Sequence, residues 1–190
     1  MKLLDQVRRR FARPPEPVRT GVAAAGDPDE DVLAWGSLAR DSGWLVATSR
    51  GLRSVGSHGQ GTETDLMPWH EVGHARWSAT ADGGGTFEVT PLTEVEPGVQ
   101  AREPVRRYVL TEAGDLPAVV RRRVDQTVVA SLRSPLPDGG GVLLVARRIP
   151  GQPVREWTVV FDDDTQRTDP AAREAARQKL ADVVAADQPG

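Results

Sequence analysis

Trp69-His70-Glu71-Val72-Gly73-His74-Ala75-Arg76-Trp77 holds the residues best suited to chemistry. His70-Glu71-Val72-Gly73-His74 has the H-E-x-x-H spacing of a zinc hydrolase, with His70 and His74 as ligands and Glu71 as general base. That chemistry needs a helix. Residues i and i+4 of an α-helix share a face about 5–6 Å apart at Cβ. On a strand, four steps of roughly 3.3 Å separate the same pair by about 13 Å. Zinc takes nitrogen ligands at about 2.0–2.1 Å, so an extended His70–His74 pair cannot share one ion.

The surrounding residues favour the strand. Gly73 weakens a helix from its middle. Pro68 suits a first helical turn, but Met67 is a poor N-cap, and the turn cluster Asp82-Gly83-Gly84-Gly85 follows soon after. A catalytic zinc also needs a third ligand and an open position. The only other histidine, His58, lies upstream among glycines, and no H-x-x-G-x-x-H extension follows. Glu88, Glu94, Glu96 and Glu103 fall in a run that reads as strand and turn. The sequence therefore assigns no catalytic, cofactor-binding or metal-binding residue, and the zinc hydrolase is the enzyme-class alternative.

Three other stretches have chemical possibilities and plainer readings. Gly56-Ser57-His58-Gly59-Gln60-Gly61 is glycine-rich, but no Lys-Ser/Thr and no helix follow it, so it reads as a hairpin loop and not a phosphate cradle. Asp162-Asp163-Asp164 lacks the glycine and distal glutamate of a calcium loop and reads as a charged turn. Arg121-Arg122-Arg123 reads as the solvated side of a helix.

The elements that would position these residues are short. The chain has 190 residues, enough to bury a sizeable core, and is rich in glycine and proline. A formal charge of −3 gives no support for a nucleic-acid partner. Without cysteine there is no disulfide, thiolate metal site or thiol nucleophile. No apolar run reaches the ~18–20 residues of a spanning helix, and no signal-peptide core opens the chain. The expectation is a soluble cytoplasmic protein.

Residues 1–30 read as a short amphipathic helix over Met1–Ala12, an extended proline segment at Arg13–Pro17 and a small, acidic linker from Thr20 to Glu30. The basic face of residues 1–13 makes peripheral membrane attachment a second alternative. From Asp31 the texture is strand and turn: Val32–Trp35, Gly43–Thr48, Leu52–Val55, Thr86–Thr90 and Val105–Leu110, with a loop at Pro91, Pro97 and Gly98. A helix is predicted from Leu116 to about Leu132, on Leu116, Val120, Val124, Val128 and Leu132. A hairpin follows around Pro150–Pro153, with Trp157, Val159 and Phe161 on one face. Asp169 and Pro170 start a last helix with an inner stripe of Ala172, Ala176, Leu180, Val183 and Val184. Trp35, Trp44, Trp69, Trp77 and Trp157 read as core.

Two stretches resemble the bacterial pleckstrin-homology-like (PH-like) families of actinobacteria. Trp44-Leu45-Val46-Ala47-Thr48-Ser49-Arg50-Gly51-Leu52 is similar to their strand–Ala-Thr–x-Arg turn–leucine pattern. Met67-Pro68-Trp69-His70-Glu71-Val72, with Ala75 and Trp77, is similar to their Pro-Trp-x-x-Ile/Val strand. The resemblance covers Asp31 to Leu132. It implies an α+β fold: a curved antiparallel β-barrel or sandwich capped by a helix, here followed by a β-hairpin and a C-terminal helix. On this reading residues 31–186 form the PH-like domain with its extension, and 187–190 are a tail. It also implies a non-enzymatic interaction module with an unknown protein or small ligand as partner. Exposed strand edges and the loops around His58 and Asp82 are its candidate binding surfaces.

Overall fold

The computed structural model describes residues 13–25, 27–41, 43–56, 65–137, 139–149 and 155–187. The fold is α+β. Backbone pairing links 11 strands in one mostly antiparallel sheet, and the chain divides into two compact units, 1–89 with 105–124 and 90–104 with 125–190.

Unit one contains α1 (Glu16–Ala24), β1 (Val32–Leu38), β2 (Trp44–Thr48), β3 (Gly51–Val55), β4 (Asp65–Pro68) and a 3-10 turn at Trp69–Glu71. It continues with β5 (Val72–Ala79), the first half of β6 (Gly85–Glu96), β8 (Arg106–Glu112) and most of α2 (Leu116–Thr127). Its strands are ordered β4-β3-β2-β1-β8-β6, with β5 also pairing β6. The meander therefore returns its last strand to its first: Leu38 of β1 lies opposite Leu110 of β8. One cluster gathers Ala34, Leu45, Leu52, Met67, Trp69, Val72, Phe87, Val89, Leu110 and Leu116, so all these strands and the helix share a core. A second cluster packs Val18 and Val22 of α1 against Val46 and Val55.

Helix α1 takes Glu16 and Pro17 from the extended segment read from the sequence and residues 20–24 from the linker; residues 13–15 and 27–30 stay outside it. Proline at a first helical turn costs no hydrogen bond, and Val18 and Val22, one turn apart, are both buried. The helix proposed over Met1–Ala12 lies outside the described residues, as does the loop at Ser57–Thr64.

Unit two contains the second half of β6, β7 (Val99–Arg102), β9 (Val128–Pro135), β10 (Gly141–Arg148), β11 (Arg155–Phe161), α3 (Asp164–Thr168) and α4 (Pro170–Asp187). The order is β6-β7-β11-β10-β9, and the β7–β11 pair is parallel. Ala172 and Ala176 of α4 pack on Val142, Leu144, Val159 and Phe161, as the inner stripe predicts; Leu180 and Val183 join them, whereas Val184 is exposed. Asp169 Oδ1 accepts from Ala171 N–H at 3.0 Å, the expected cap.

Two boundaries differ from the sequence reading. Residues 91–96 are strand and not loop: β6 runs through Pro91, changing partner from β8 to β7. Pro91 keeps its carbonyl in use, accepting from Glu103 N–H at 2.9 Å. The helix predicted to Leu132 stops at Thr127, and Val128 and Leu132 belong to β9. The β-branched Thr127-Val128-Val129 suits a strand, and β9 gains a full antiparallel ladder with β10.

Candidate functional site

The five-residue His-Glu-Val-Gly-His stretch is split between two elements. Trp69, His70 and Glu71 form the 3-10 turn, and Val72 starts β5. Ala75 and Trp77 pack against the core, while His74, Arg76 and Ser78 are exposed. His74 lies on the side of Glu88, whose carboxyl is held below the ordinary range. The Arg107 hydrogen bond is the main cause, with smaller help from the charges of Arg76 and His74. His70 is half-buried; its Nε2 is 3.9 Å from Glu71 Oε1, and its Nδ1 has no hydrogen-bond partner among the described residues. Glu71 thus sits against His70. Among the described residues no group of three or more His, Asp and Glu side chains is placed to hold a metal ion.

The best-built polar constellation of unit one is the turn after β2. Thr48 is fully buried and Glu30 and Arg53 nearly so. Arg53 Nε and Nη2 each donate to one Glu30 oxygen at 2.7 Å, a bidentate pair. Thr48 Oγ1 donates to Glu30 Oε1 at 2.6 Å and accepts from the N–H groups of Arg50 and Gly51 at 3.1 Å. Trp69 Nε1 donates to the Thr48 carbonyl at 3.0 Å, tying the 3-10 turn to the same point. Outside this knot, Arg50 Nε donates to Asp27 Oδ2 at 2.8 Å.

Burial pushes the Glu30 carboxyl up, but hydrogen bonds from Arg53 and Thr48, with the Arg53 charge, outweigh it and leave it below the ordinary glutamate value. Asp27 is also held low, first by the backbone N–H of Asp29 and then by Arg50. Gly51 is needed at the knot because a Cβ there would sit 2.2 Å from the Met67 carbonyl oxygen. The hydrogen bonds of Thr48, Glu30 and Arg53 tie the turn after β2 to the segment that precedes β1, so the constellation holds backbone together.

Sequence reasoning named the Thr48-Ser49-Arg50-Gly51 turn through a resemblance but missed Glu30, which it placed in a linker. Glu30 lies 23 residues from Arg53, and only the fold brings the two together. The one available signal was an acidic residue just before an apolar strand.

Of the tryptophans, Trp69 is buried and Trp35, Trp44, Trp77 and Trp157 are half-buried against core clusters. Trp157 Nε1 also donates to Asp187 Oδ2 at 2.8 Å, fastening the end of α4 to β11. The aspartate run at 162–164 is a capping device: Asp163 Oδ1 accepts from Thr165 N–H at 2.9 Å, and Asp162 pairs with Arg133 at 3.3 Å. Arg121 and Arg122 lie on the exposed side of α2. In unit two, Arg147 is buried, its Nη1 donates to Thr127 Oγ1 at 3.3 Å, and burial lowers its pKa. Among the described residues no helix is long and apolar enough to cross a membrane. Compared with models of known protein families, with curated proteins and with solved structures, the chain has no match.

Proposed function

We propose that unit one is a PH-like domain and that the protein acts as a non-enzymatic, cytoplasmic interaction module. The observation that carries this reading is the strand order of unit one. Its last strand returns to pair with its first, and the following helix closes on the shared core. A helix-capped antiparallel sheet supports the curved barrel or sandwich capped by a helix that the sequence resemblance implies. The two stretches of that resemblance have framework duties: one builds the Thr48 knot and the other supplies Trp69 and Val72 to the core. The chemistry-bearing pair His70 and His74 is divided between a turn and a strand and does not share one helix, which supports reading the stretch as framework.

The binding surface on this reading is β5 and the hairpin that follows it. β5 pairs only with β6 among the described strands and presents His74, Arg76 and Ser78 outward. A strand edge flanked by the Arg76 cation suits an extended protein segment, which would add to the sheet through its backbone. The test is a photo-reactive residue at Arg76 in the full-length chain, expressed in its native cells, with Glu174 on α4 as control. A discrete adduct at Arg76 and none at Glu174 is expected. The same diffuse products at both positions would refute the module reading.

A further inference from the structure

We propose that β9 is a self-association surface, through which two copies of this chain pair antiparallel about a two-fold axis at Leu132. β9 is the terminal strand of the unit-two sheet and pairs only with β10 among the described strands. It has eight residues, and Val129 and Leu132 are 40% and 51% exposed. By contrast the terminal strand of unit one, β4, is only four residues long, ends in Pro68 and carries Asp65 in an ion pair with Arg106. Short length, proline and charge are the usual defences of a sheet edge. β9 is twice as long as β4, carries no proline until Pro135, and has one charged residue, Arg133, whose exposed side chain pairs with Asp162.

The hydrogen-bond phase of β9 fixes what its free edge offers. Leu136 N–H donates to the Gly140 carbonyl, and the register runs on through Pro135↔Gly141, Ser134↔Val142, Arg133↔Leu143 and Leu132↔Leu144. Antiparallel ladders alternate bonded and non-bonded pairs. Ser134, Leu132 and Ala130 therefore bond to β10, and the N–H and C=O groups of Arg133 and Ser131 point away from it. Pro135, which has no N–H, falls in the outward phase, where none is needed.

Three two-fold registers can use those outward groups. An axis at Arg133 sets the two guanidinium groups directly opposite, which like charges disfavour. An axis at Ser131 sets Arg133 opposite Val129, beside the register shift at the start of β9. An axis at Leu132 pairs Ser131 with the other copy's Arg133 twice, forming four backbone hydrogen bonds. It also makes Leu132 its own opposite number in a non-bonded pair, where side chains come closest. Leu132 stands on the sheet face that carries Val142 and Leu144 beneath α4, so the pairing prolongs that apolar face across the axis. Charge and apolar matching both select this register, and with it a closed, isologous dimer.

The chain has no cysteine, so Leu132→Cys introduces a lone thiol. At the axis, two such residues would have Cα atoms about 4.5 Å apart, within the range a disulfide spans. The experiment combines sedimentation of the full-length protein across concentration with mild oxidation of Leu132→Cys, using Val184→Cys on exposed α4 as control. The expected results are a wild-type dimer, a monomer for Leu132→Lys and for Ser131→Pro, and faster disulfide cross-linking at position 132 than at 184. Both dimer-breaking changes are at exposed side chains, and Ser131 N–H is not bonded to β10, so folding survives. Circular dichroism checks that it does. A wild-type monomer at all concentrations, or a dimer that both changes leave intact, overturns the proposal. Cross-linking no faster at 132 than at 184 overturns the register.

Discussion

Replacing Arg53 by methionine would leave the Glu30 carboxylate buried without its counter-ion. The pair is bidentate, with both contacts at 2.7 Å, and its side chains are 7% and 0% exposed. Removing one partner of such a pair costs about 3–5 kcal/mol, because the survivor keeps its charge and loses its compensation. The Thr48 hydroxyl still donates to Glu30 at 2.6 Å, which sets the expected loss at the lower end, about 3 kcal/mol. Against a domain stability of about 5–15 kcal/mol that is a large fraction. Glu30→Met with Arg53→Met removes both charges, and a buried pair exchanged for apolar groups is often neutral or better. The double variant is therefore expected to recover most of the loss.

Urea unfolding followed by circular dichroism measures all three proteins. The pH dependence supplies an independent check. In the wild type Glu30 titrates below its ordinary value of 4.5, so its contribution is complete above that value and is lost as pH falls through the lower folded one. Without Arg53, burial dominates and the carboxyl is raised, so acid relieves the variant as it weakens the wild type. The stability gap should narrow on acidification. A loss below about 1 kcal/mol, the scale of an exposed pair, or a gap independent of pH would refute the reasoning.

Other substitutions test neighbouring claims. Trp69→Phe keeps a ring in the core but leaves the buried Thr48 carbonyl without its donor, and should cost about 1–3 kcal/mol in urea unfolding. Gly51→Ala should destabilise more than a surface change of similar size, because its Cβ meets backbone at 2.2 Å and no flexible side chain can yield. Arg147→Met should leave the urea midpoint unchanged or raise it, since it removes a buried charge whose Nε has no hydrogen-bond partner among the described residues and whose Nη1 meets a neutral hydroxyl at 3.3 Å; a loss above about 2 kcal/mol would show that the guanidinium is well paired.

Much of the fold was legible because the hydrophobic period was. β1, β2, β3, β8, β10 and β11 fall on apolar runs bounded by turns, and α4 shows its cap and inner stripe in sequence. The misreadings came from residues that belong to more than one local pattern. Pro15 and Pro17 read as helix breakers, yet at a first turn they are compatible with α1, and the burial of Val18 and Val22 decides. Val124, Val128 and Leu132 continue a helical spacing, but pairing with β10 captures the last two as strand. Pro91 read as loop because its role, standing where β6 changes partner, depends on strands that are distant in sequence. The polar knot was only half legible: Thr48, Arg50 and Gly51 sit together in one turn, whereas Glu30 joins them through tertiary contact alone.

The most direct test of the non-enzymatic account is the zinc content of the full-length protein after incubation with zinc and desalting, with His74→Ala alongside. The account predicts no retained zinc in either protein, because His70 lies in a 3-10 turn and His74 on a strand. About one tightly held zinc per chain in the wild type, absent from His74→Ala, would contradict it and restore the hydrolase reading.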